Sequence, residues 1–295
     1  MLLWPITKQS SYKVKKIKLL KKLEDFYQQN KDLLTENYPG LNYQILKNFI
    51  EDYGLANFDK DPEKLLLQLK DAVPFAYILG RHFFYDFEFH IDKNVLIPRF
   101  ETEILVHCAA EILKSKKVNS FLDLGVGSGA IFINLLKVVI DEKIDLDCAH
   151  ASDISTQALD VCRMNLEKLD IKKDDMDIQL IQSNRYENLS HKYDLIVSNP
   201  PYIKYNADKK NVHFQTDKYE PHLALYLKDS EYDAWFDDLF VNTFNNLNSN
   251  GVFLMEGHED HLEHLKEKWH KYAIESVEII NDLNQSQRVL KVIKE

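Results

Sequence analysis

The sequence is poor in cysteine and lacks an apolar stretch long enough for a signal peptide. Only Cys108, Cys148 and Cys162 occur in 295 residues, and none belongs to a C-x-x-C pair. An odd number of cysteines without metal-ligand spacing predicts free thiols in a reducing compartment. Residues 1–7 are too short for the apolar region of a signal peptide, and lysines follow them. We therefore predict a cytoplasmic protein without a membrane contact.

The sequence also lacks an excess of positive charge. The formal net charge is −10 and the isoelectric point is about 5.6. A broad basic face for long nucleic acid is therefore not expected. Residues 1–70 contain twelve lysines and nine acidic residues, a balance of +3, so the remaining chain carries −13. The early lysines form either a solvated helical face or a docking module for an acidic partner.

The spacing of apolar residues predicts three consecutive regions. Residues 1–73 have helical periodicity and predict a small N-terminal helical domain. Residues 74–98 are rich in aromatic residues that alternate, which predicts a β-hairpin linker with Phe83, Phe87 and Phe89 on one face. Residues 99–295 form the third region, and its first helix is expected to be capped by Thr102 or a nearby residue.

Strands and helices alternate in this third region from residue 119 onward. We predict strands at 121–124, 147–152, 178–182, 193–198, 252–255, 274–280 and 289–293. Alternation of this kind predicts a doubly wound, mostly parallel α/β sheet. The last two strands lie close together in sequence, so at least one pair is expected to be antiparallel.

A glycine-rich turn follows the first of these strands. Its sequence, Asp123-Leu-Gly-Val-Gly-Ser-Gly129, lets the backbone approach a ligand closely. The G-x-G-x-G spacing differs from the dinucleotide fingerprint G-x-G-x-x-G, which argues against a nicotinamide dehydrogenase. Asp153 ends the second strand, where a carboxylate can accept both hydroxyls of a ribose. Together with the motif described next, this pair predicts a site for S-adenosylmethionine.

The strand at 193–198 runs directly into Asn199-Pro200-Pro201-Tyr202. The two prolines fix an extended corner, so Asn199 is held at the carboxyl end of a strand. The Asn199 side chain and the Pro200 carbonyl offer two acceptors for a planar –NH2 group, and Tyr202 adds an aromatic wall. The alternative is that this segment only ends a strand.

Several further motifs make the chain resemble the release-factor glutamine methyltransferases, the HemK/PrmC group. The resemblance runs from Pro74 nearly to the end of the chain. It is carried by Pro74–Gly80, Val95–Glu103 with its Pro-Arg-Phe-Glu-Thr-Glu sequence, Asp153-Ile-Ser, Ala158-Leu159, Asn165, Tyr219–Leu225 and Arg288-Val289. The chain departs from the group at Ser183-Asn184, where an acidic residue is usual, and at Glu256-Gly257-His258, where Glu-x-Gly is commoner.

The resemblance implies a Rossmann-like class I methyltransferase fold with seven strands, and it implies roles for individual residues. The residues expected to bind S-adenosylmethionine are Phe100, Asp123, Gly125, Gly127, Gly129, Asp153, Ile154, Asn184 and Asn199. The residues expected to bind the substrate are Asn199, Pro200, Pro201 and Tyr202, of which Asn199, Pro200 and Tyr202 are expected to be catalytic. No metal ion is expected.

The resemblance also implies a reaction: methylation of the side-chain nitrogen of the glutamine in the Gly-Gly-Gln motif of class I peptide chain release factors. The enzyme is expected to be a monomer that binds no nucleic acid directly. Two alternatives remain at this stage. One is an amino-methyltransferase for adenine or guanine in nucleic acid, and the other is a non-catalytic protein-binding module with the same fold.

Overall fold

The structure is a computed structural model that describes residues 6–53, 62–172 and 176–295. The chain divides into two units, Met1–Leu79 and Gly80–Glu295. The predicted hairpin region, 74–98, contains the last helix of the first unit and the hairpin that begins the second. No helix among the described residues is both long and apolar enough to cross a bilayer.

The first unit is helical in its described part. Its helices are α1 (Ile6–Gln29), α2 (Lys31–Asn37), α3 (Tyr43–Tyr53), α4 (Pro62–Lys70) and α5 (Phe75–Leu79). Apolar residues three or four positions apart enclose a core that includes Leu23, Leu34, Leu46, Ile50 and Leu69, all fully buried. Two side chains also tie α2 to the end of this unit: Asn37 donates to the Lys70 carbonyl and Tyr38 to that of Val73.

The predicted hairpin is present, but the prediction that Phe83 shares a face with Phe87 and Phe89 is wrong. Strand β1 (Arg81–Phe84) pairs with β2 (Phe87–His90) across a turn of only two residues. Cross-strand partners share a face, so the turn places Phe84 on the same face as Phe87 and Phe89. Phe84 is accordingly buried, whereas Phe83 is 72% exposed. The prediction assumes that side chains continue to alternate between the two faces through the turn, but a two-residue turn reverses this alternation.

The predicted seven-stranded sheet is confirmed in the second unit. Its strands are β3 (Ser120–Leu124), β4 (Cys148–Asp153), β5 (Asp177–Gln182), β6 (Tyr193–Ser198), β9 (Leu247–Glu256), β10 (Ile274–Asn281) and β11 (Gln287–Lys294), while β7 (Ile203–Lys204) and β8 (Tyr226–Leu227) form a separate short pair. The order across the sheet is β10-β11-β9-β6-β3-β4-β5, and only β11 runs antiparallel to its neighbours.

Both faces of the central strands are covered, which explains their continuous apolar runs. The helices beside the sheet are α6 (Glu103–Ser115), α7 (Ala130–Asp141), α8 (Thr156–Lys168), α11 (Tyr232–Asn246) and α12 (Leu262–Glu267). Two short helices, α9 (Phe214–Tyr219) and α10 (His222–Leu225), lie in the connection after β7. On one face Phe121 lies 5.5 Å from Phe132 of α7, measured between ring centroids. On the other, Leu122 and Phe253 pack with Phe240 of α11.

The strand order reverses between β3 and β6, and one side chain links their ends. The Ser198 hydroxyl donates to the Leu124 carbonyl at 2.7 Å. Ligands of open α/β sheets bind at such a reversal, outside the carboxyl ends of the strands. The fold therefore brings the glycine-rich turn and the Asn-Pro-Pro-Tyr segment to the same edge of the sheet.

Asn165 of α8 joins the hairpin to the glycine-rich turn. Its side-chain nitrogen donates to the carbonyls of His90 and Ser128, at 3.0 and 2.9 Å, and its oxygen accepts from the His90 backbone nitrogen at 2.6 Å. Asn165 is fully buried, and its bond to the Ser128 carbonyl is buried, whereas the two bonds to His90 are partly buried. The Asn165 amide, on α8, thus satisfies backbone groups of both the hairpin and the glycine-rich turn.

We predict that Asn165→Ala destabilises the second unit, because each buried polar group left unpaired costs about 1–3 kcal/mol. Urea denaturation followed by circular dichroism measures the change in the free energy of unfolding. Asn242→Ala is the matched control, since its side chain donates only to the Asp238 carbonyl in its own helix. Equal midpoints for the two variants would contradict the role assigned to Asn165.

Candidate active site

The glycine-rich turn after β3 has a backbone that leaves room for a ligand. Gly125 and Gly127 have φ angles of +84° and +53°, which side-chain-bearing residues rarely adopt, and a Cβ atom at either position would meet nothing within 4 Å. Gly129 differs, because a Cβ atom there would lie 2.8 Å from the sulfur of Cys162. The first two glycines thus open the turn toward the edge of the sheet, while the third packs it against α8.

Asp153, at the end of β4, holds this turn in place. Its Oδ2 accepts from the Gly127 backbone nitrogen at 3.0 Å and its Oδ1 from that of Ser155 at 2.9 Å. Burial raises the pKa of Asp153, and these backbone hydrogen bonds lower it. Each carboxylate oxygen has two lone-pair directions, so both can accept one further hydrogen bond. A ribose with two adjacent hydroxyls offers a donor to each oxygen.

Asp123 lies beneath the turn and is fully buried. Neither of its carboxyl oxygens has a donor in full hydrogen-bonding geometry among the described residues, although the Phe132 backbone N–H group lowers its pKa. Burial raises the pKa of Asp123 to about 8, and the nearby charge of Asp153 acts in the same direction. A buried carboxyl group of this kind favours its neutral form around neutral pH. Asp123 therefore lies beneath the turn and is not part of the lining of the cavity above it.

A cavity of about 240 Å³ opens above the turn. Its polar lining includes Asp153, Ser152 and Asn184, and Ser152 Oγ is buried without a hydrogen-bond partner in the described chain. The Asn184 side-chain nitrogen donates to Glu187 at 2.7 Å, which leaves the Asn184 oxygen as an acceptor. Ile154, 44% exposed, adds an apolar wall. These residues fit a nucleoside with a ribose and an exocyclic amine.

A second cavity, of about 280 Å³, lies on the other side of the Asn-Pro-Pro-Tyr segment. Pro200 and Pro201 line the first cavity, whereas Asn199 and Tyr202 line the second. The two cavities share two lining residues, Leu96 and Ala224, so they adjoin. The segment Asn199–Tyr202 thus lies between the first cavity, whose lining fits a nucleoside, and the second cavity, which contains the Asn199 side chain in its lining.

The second cavity is bordered by two arginines that are held by buried acids. Arg99 forms an ion pair with Glu220 at 2.5 Å, and Glu220 also accepts from the Ile97 backbone nitrogen. Arg288 pairs with Asp282 at 3.2 Å. The two contacts of Glu220 join the Val95–Glu103 motif to the Tyr219–Leu225 motif, which are about 120 residues apart in sequence.

The structure brings most of the predicted site residues together, but Phe100, Asp123 and Gly129 line neither cavity. Phe100 is 66% exposed and is absent from the lining of both cavities. Gly129 packs against α8. Thr102 occupies the N-cap position of α6, within the predicted range for the cap, but its side chain makes no capping hydrogen bond. Its hydroxyl accepts instead from the Asn199 side-chain nitrogen at 3.2 Å.

Sequence reasoning missed Leu96, Ala224, Arg99 and Glu256 as residues of this region. Three of them fall inside the motifs Val95–Glu103 and Tyr219–Leu225, so a signal was present without an assigned role. Glu256 ends β9, and its Oε1 accepts from the Tyr202 hydroxyl at 3.1 Å. Only the strand pairing shows that Glu256 stands beside Asn199.

The fold and the site define a class I S-adenosylmethionine-dependent methyltransferase. The Methyltransferase small domain family matches residues 101–216. Among solved structures, the hMettl16 catalytic domain in complex with the MAT2A 3'UTR hairpin 6 has a TM-score of 0.53 and 14% identity, with 69% of this chain and 74% of that chain covered. This likeness supports the fold alone.

Sequence relatives are more specific. A release factor glutamine methyltransferase of Flavobacterium psychrophilum is 38% identical over 199 residues, which cover 66% of each chain. Another, of Streptococcus pneumoniae, is 40% identical over 165 residues, 56% of this chain and 54% of that protein. The chain belongs to the release factor glutamine methyltransferase family. The matches span only 66% and 54% of the lengths of these two relatives.

Asp123 predicts a pH dependence of stability. Its pKa is raised from 3.8 to about 8 in the folded protein, so the folded state binds this proton more tightly than the unfolded state does. The stabilisation is complete below about pH 4 and is lost as the pH rises through about 8. Thermal unfolding across this range should show the wild type losing stability relative to Asp123→Asn. Parallel curves for the two proteins would contradict the raised pKa.

Proposed function

We propose that this protein transfers a methyl group from S-adenosylmethionine to the side-chain nitrogen of the glutamine in the Gly-Gly-Gln motif of class I peptide chain release factors. The observation that carries the proposal is the pair of adjoining cavities, which meet at Asn199-Pro200-Pro201-Tyr202. One cavity suits a nucleoside and the other a polar side chain. The names of the sequence relatives support the choice of substrate.

The first cavity is proposed to hold S-adenosylmethionine, which supplies a methyl group attached to a positively charged sulfur. Asp153 would accept from the ribose hydroxyls, and the Asn184 oxygen would accept from the adenine amine. Gly125 and Gly127 would let the backbone lie close to the bound molecule. Asn184 thereby replaces the acidic residue that is usual in the family, and it retains the acceptor that an exocyclic amine requires.

The corner segment is proposed to hold the glutamine amide. An amide nitrogen is a weak nucleophile because its lone pair is shared with the carbonyl. The Asn199 oxygen and the Pro200 carbonyl would accept its two hydrogens and so orient the nitrogen toward the first cavity. Positioning of this kind contributes about 7–11 kcal/mol to lowering a barrier. The two prolines restrict the backbone of the segment before any substrate binds.

Tyr202 is proposed to form a wall of this pocket rather than to act as a base. Its hydroxyl donates to Glu256, and burial raises the pKa of Tyr202 far above neutrality. The ring therefore remains a neutral phenol under ordinary conditions. Its apolar face is the feature available to a substrate side chain.

The N-terminal unit is proposed to contact the protein substrate. Within this unit a groove of about 740 Å³ is lined by four lysines, two acids and several apolar residues: Lys18, Lys21, Lys22, Lys70, Asp25, Glu63, Phe26, Leu66 and Leu67. Lys22 forms an ion pair with Glu63, so the lysines exceed the acids by two. Leu67 is 59% exposed, so apolar surface is available beside the lysines. The groove thus combines positive charge and apolar area, which suits an acidic surface of a protein. Remote contacts of this kind supply binding energy that positions a single reactive side chain.

The two alternatives considered from the sequence are not favoured. An amino-methyltransferase for nucleic acid would use the same corner segment, but the sequence relatives act on release factors according to their names. The net charge of −10 also disfavours a nucleic-acid substrate. A non-catalytic binding module would have no need for a ligand-shaped cavity beside the corner.

Mass spectrometry tests the proposal directly. A purified class I release factor incubated with this protein and S-adenosylmethionine should gain one methyl group on the Gly-Gly-Gln glutamine. Asn199→Ala should bind S-adenosylmethionine as well as the wild type but methylate about 10²–10³-fold more slowly, by analogy with loss of one oxyanion-hole donor. Methylation of nucleic acid instead, or wild-type rates for Asn199→Ala, would refute the proposed site.

The groove of the N-terminal unit gives a separate prediction. Replacement of Lys18 and Lys21 by Glu should raise the KM for intact release factor, because the groove would repel an acidic surface. The rate on a short Gly-Gly-Gln peptide should not change, since no catalytic group is altered. Lys116→Glu, on the exposed surface of the second unit, is the matched control. A KM equal to that of the control would assign the groove to another role.

A further inference from the structure

The orientation of the Asn199 side chain decides whether it can hold a substrate amide. An asparagine amide presents an acceptor at one end and donors at the other. Only the oxygen can accept an N–H hydrogen of the substrate, so a flipped side chain would present a donor to a donor. Something in the site must therefore select one of the two orientations.

Thr102 is the described side chain that hydrogen-bonds the Asn199 amide. Its Oγ1 lies 3.2 Å from Asn199 Nδ2 and accepts from it. Thr102 is buried, with 4% of its surface exposed, and its hydroxyl does not cap α6 although the residue stands in the capping position. The Thr102 hydroxyl therefore does not make the helix-capping hydrogen bond that is usual for a threonine at this position. The Thr102 oxygen selects one orientation of the Asn199 amide only if the hydrogen of the Thr102 hydroxyl is donated to another group.

Glu256 is the candidate acceptor for that hydrogen. It ends β9, next to the strand that carries Asn199, because Ser198 pairs in register with Met255. Its side chain is fully buried, and Oε2 has no donor in hydrogen-bonding geometry among the described residues. Burial raises the pKa of Glu256, while hydrogen bonds from Thr102 and Tyr202 and the charge of Arg288 lower it. The net shift of the Glu256 pKa is upward, and in its ionised form the group accepts hydrogen bonds and donates none.

The three side chains thus form a chain with one direction. A Thr102 hydroxyl that donates to Glu256 leaves the Thr102 oxygen as the acceptor for Asn199 Nδ2, which is the contact present at 3.2 Å. Asn199 Oδ1 is then turned away from Thr102. We propose that Thr102 and Glu256 are positioning residues that fix the Asn199 amide with its oxygen toward the amide hydrogens of the substrate. This inference rests on the proposed function, since it assigns Asn199 Oδ1 to a substrate N–H group.

Thr102→Val tests the proposal, because valine has the shape of threonine without the hydroxyl. Its kcat on intact release factor should fall about 10–100-fold, the range expected when a reacting group is held loosely. The dissociation constant for S-adenosylmethionine, measured by calorimetry, should remain unchanged, because Thr102 does not line that cavity. Thr102→Ser keeps a hydroxyl and should restore most of the rate.

Two further variants separate orientation from packing. Thr243→Val is the matched control, because Thr243 on α11 also has a buried hydroxyl, which is hydrogen-bonded to Tyr186. The kcat of this variant should equal that of the wild type. Glu256→Gln replaces an obligate acceptor by a group that can donate to Thr102. Its kcat should therefore fall as well, with the affinity for S-adenosylmethionine retained. This variant provides a second test if Thr102→Val does not fold.

The outcomes are distinct. A Thr102→Val or Glu256→Gln protein with the wild-type kcat would overturn the proposal, and so would equal losses for Thr102→Val and Thr102→Ser. Loss of S-adenosylmethionine binding together with activity would assign Thr102 a structural role and would also overturn it. A wild-type protein that does not methylate release factor would refute the proposed function and this inference together. An active wild type with an unaffected Thr102→Val would refute the inference alone.

Discussion

The parallel pairing of β3 with β6 is the constraint on which the site depends. These strands are separated in sequence by β4 and β5, yet Phe121 pairs with Leu195 and Leu124 with Ser198. The carboxyl ends of parallel strands meet at one edge, so the turn after β3 and the corner after β6 emerge side by side. A hydrogen bond from Ser198 to the Leu124 carbonyl closes the gap at that edge. Neither cavity would exist if the chain had returned to the opposite side of β3.

The same edge contains two buried carboxyl groups, and burial of such groups costs free energy unless they are hydrogen-bonded or paired. Asp123 lies under the glycine-rich turn with no donor in full hydrogen-bonding geometry among the described residues, and burial raises its pKa to about 8 despite the Phe132 backbone N–H group. Glu256 is better compensated, by the Tyr202 hydroxyl, Thr102 and the charge of Arg288. Groups of this kind are expected where a site must present fixed polarity to a ligand. They are not explained by stability alone.

The sequence predicted the sheet well because each strand has a local apolar pattern and the alternation with helices restricts the topology. The errors arose where the geometry of a turn or a contact between distant segments overrides the local pattern. The two-residue turn of the hairpin exchanges Phe83 for Phe84 in the core. Thr102 has the sequence position of a helix cap, but a side chain 97 residues away takes its hydroxyl. The link to Glu256 could not be predicted, since it depends on the register of β6 and β9.

The corner segment works because it has little freedom. Pro200 and Pro201 have fixed φ angles, and each restricts the residue before it. The backbone therefore needs no ordering when ligands bind, which spares the entropy that a flexible loop would lose. Backbone rigidity does not fix the Asn199 side chain, which can still rotate about its own bonds. That remaining freedom is the reason why a buried hydroxyl and a buried carboxylate stand beside it: the prolines set where the amide lies, and the hydrogen-bonded chain sets which way it faces.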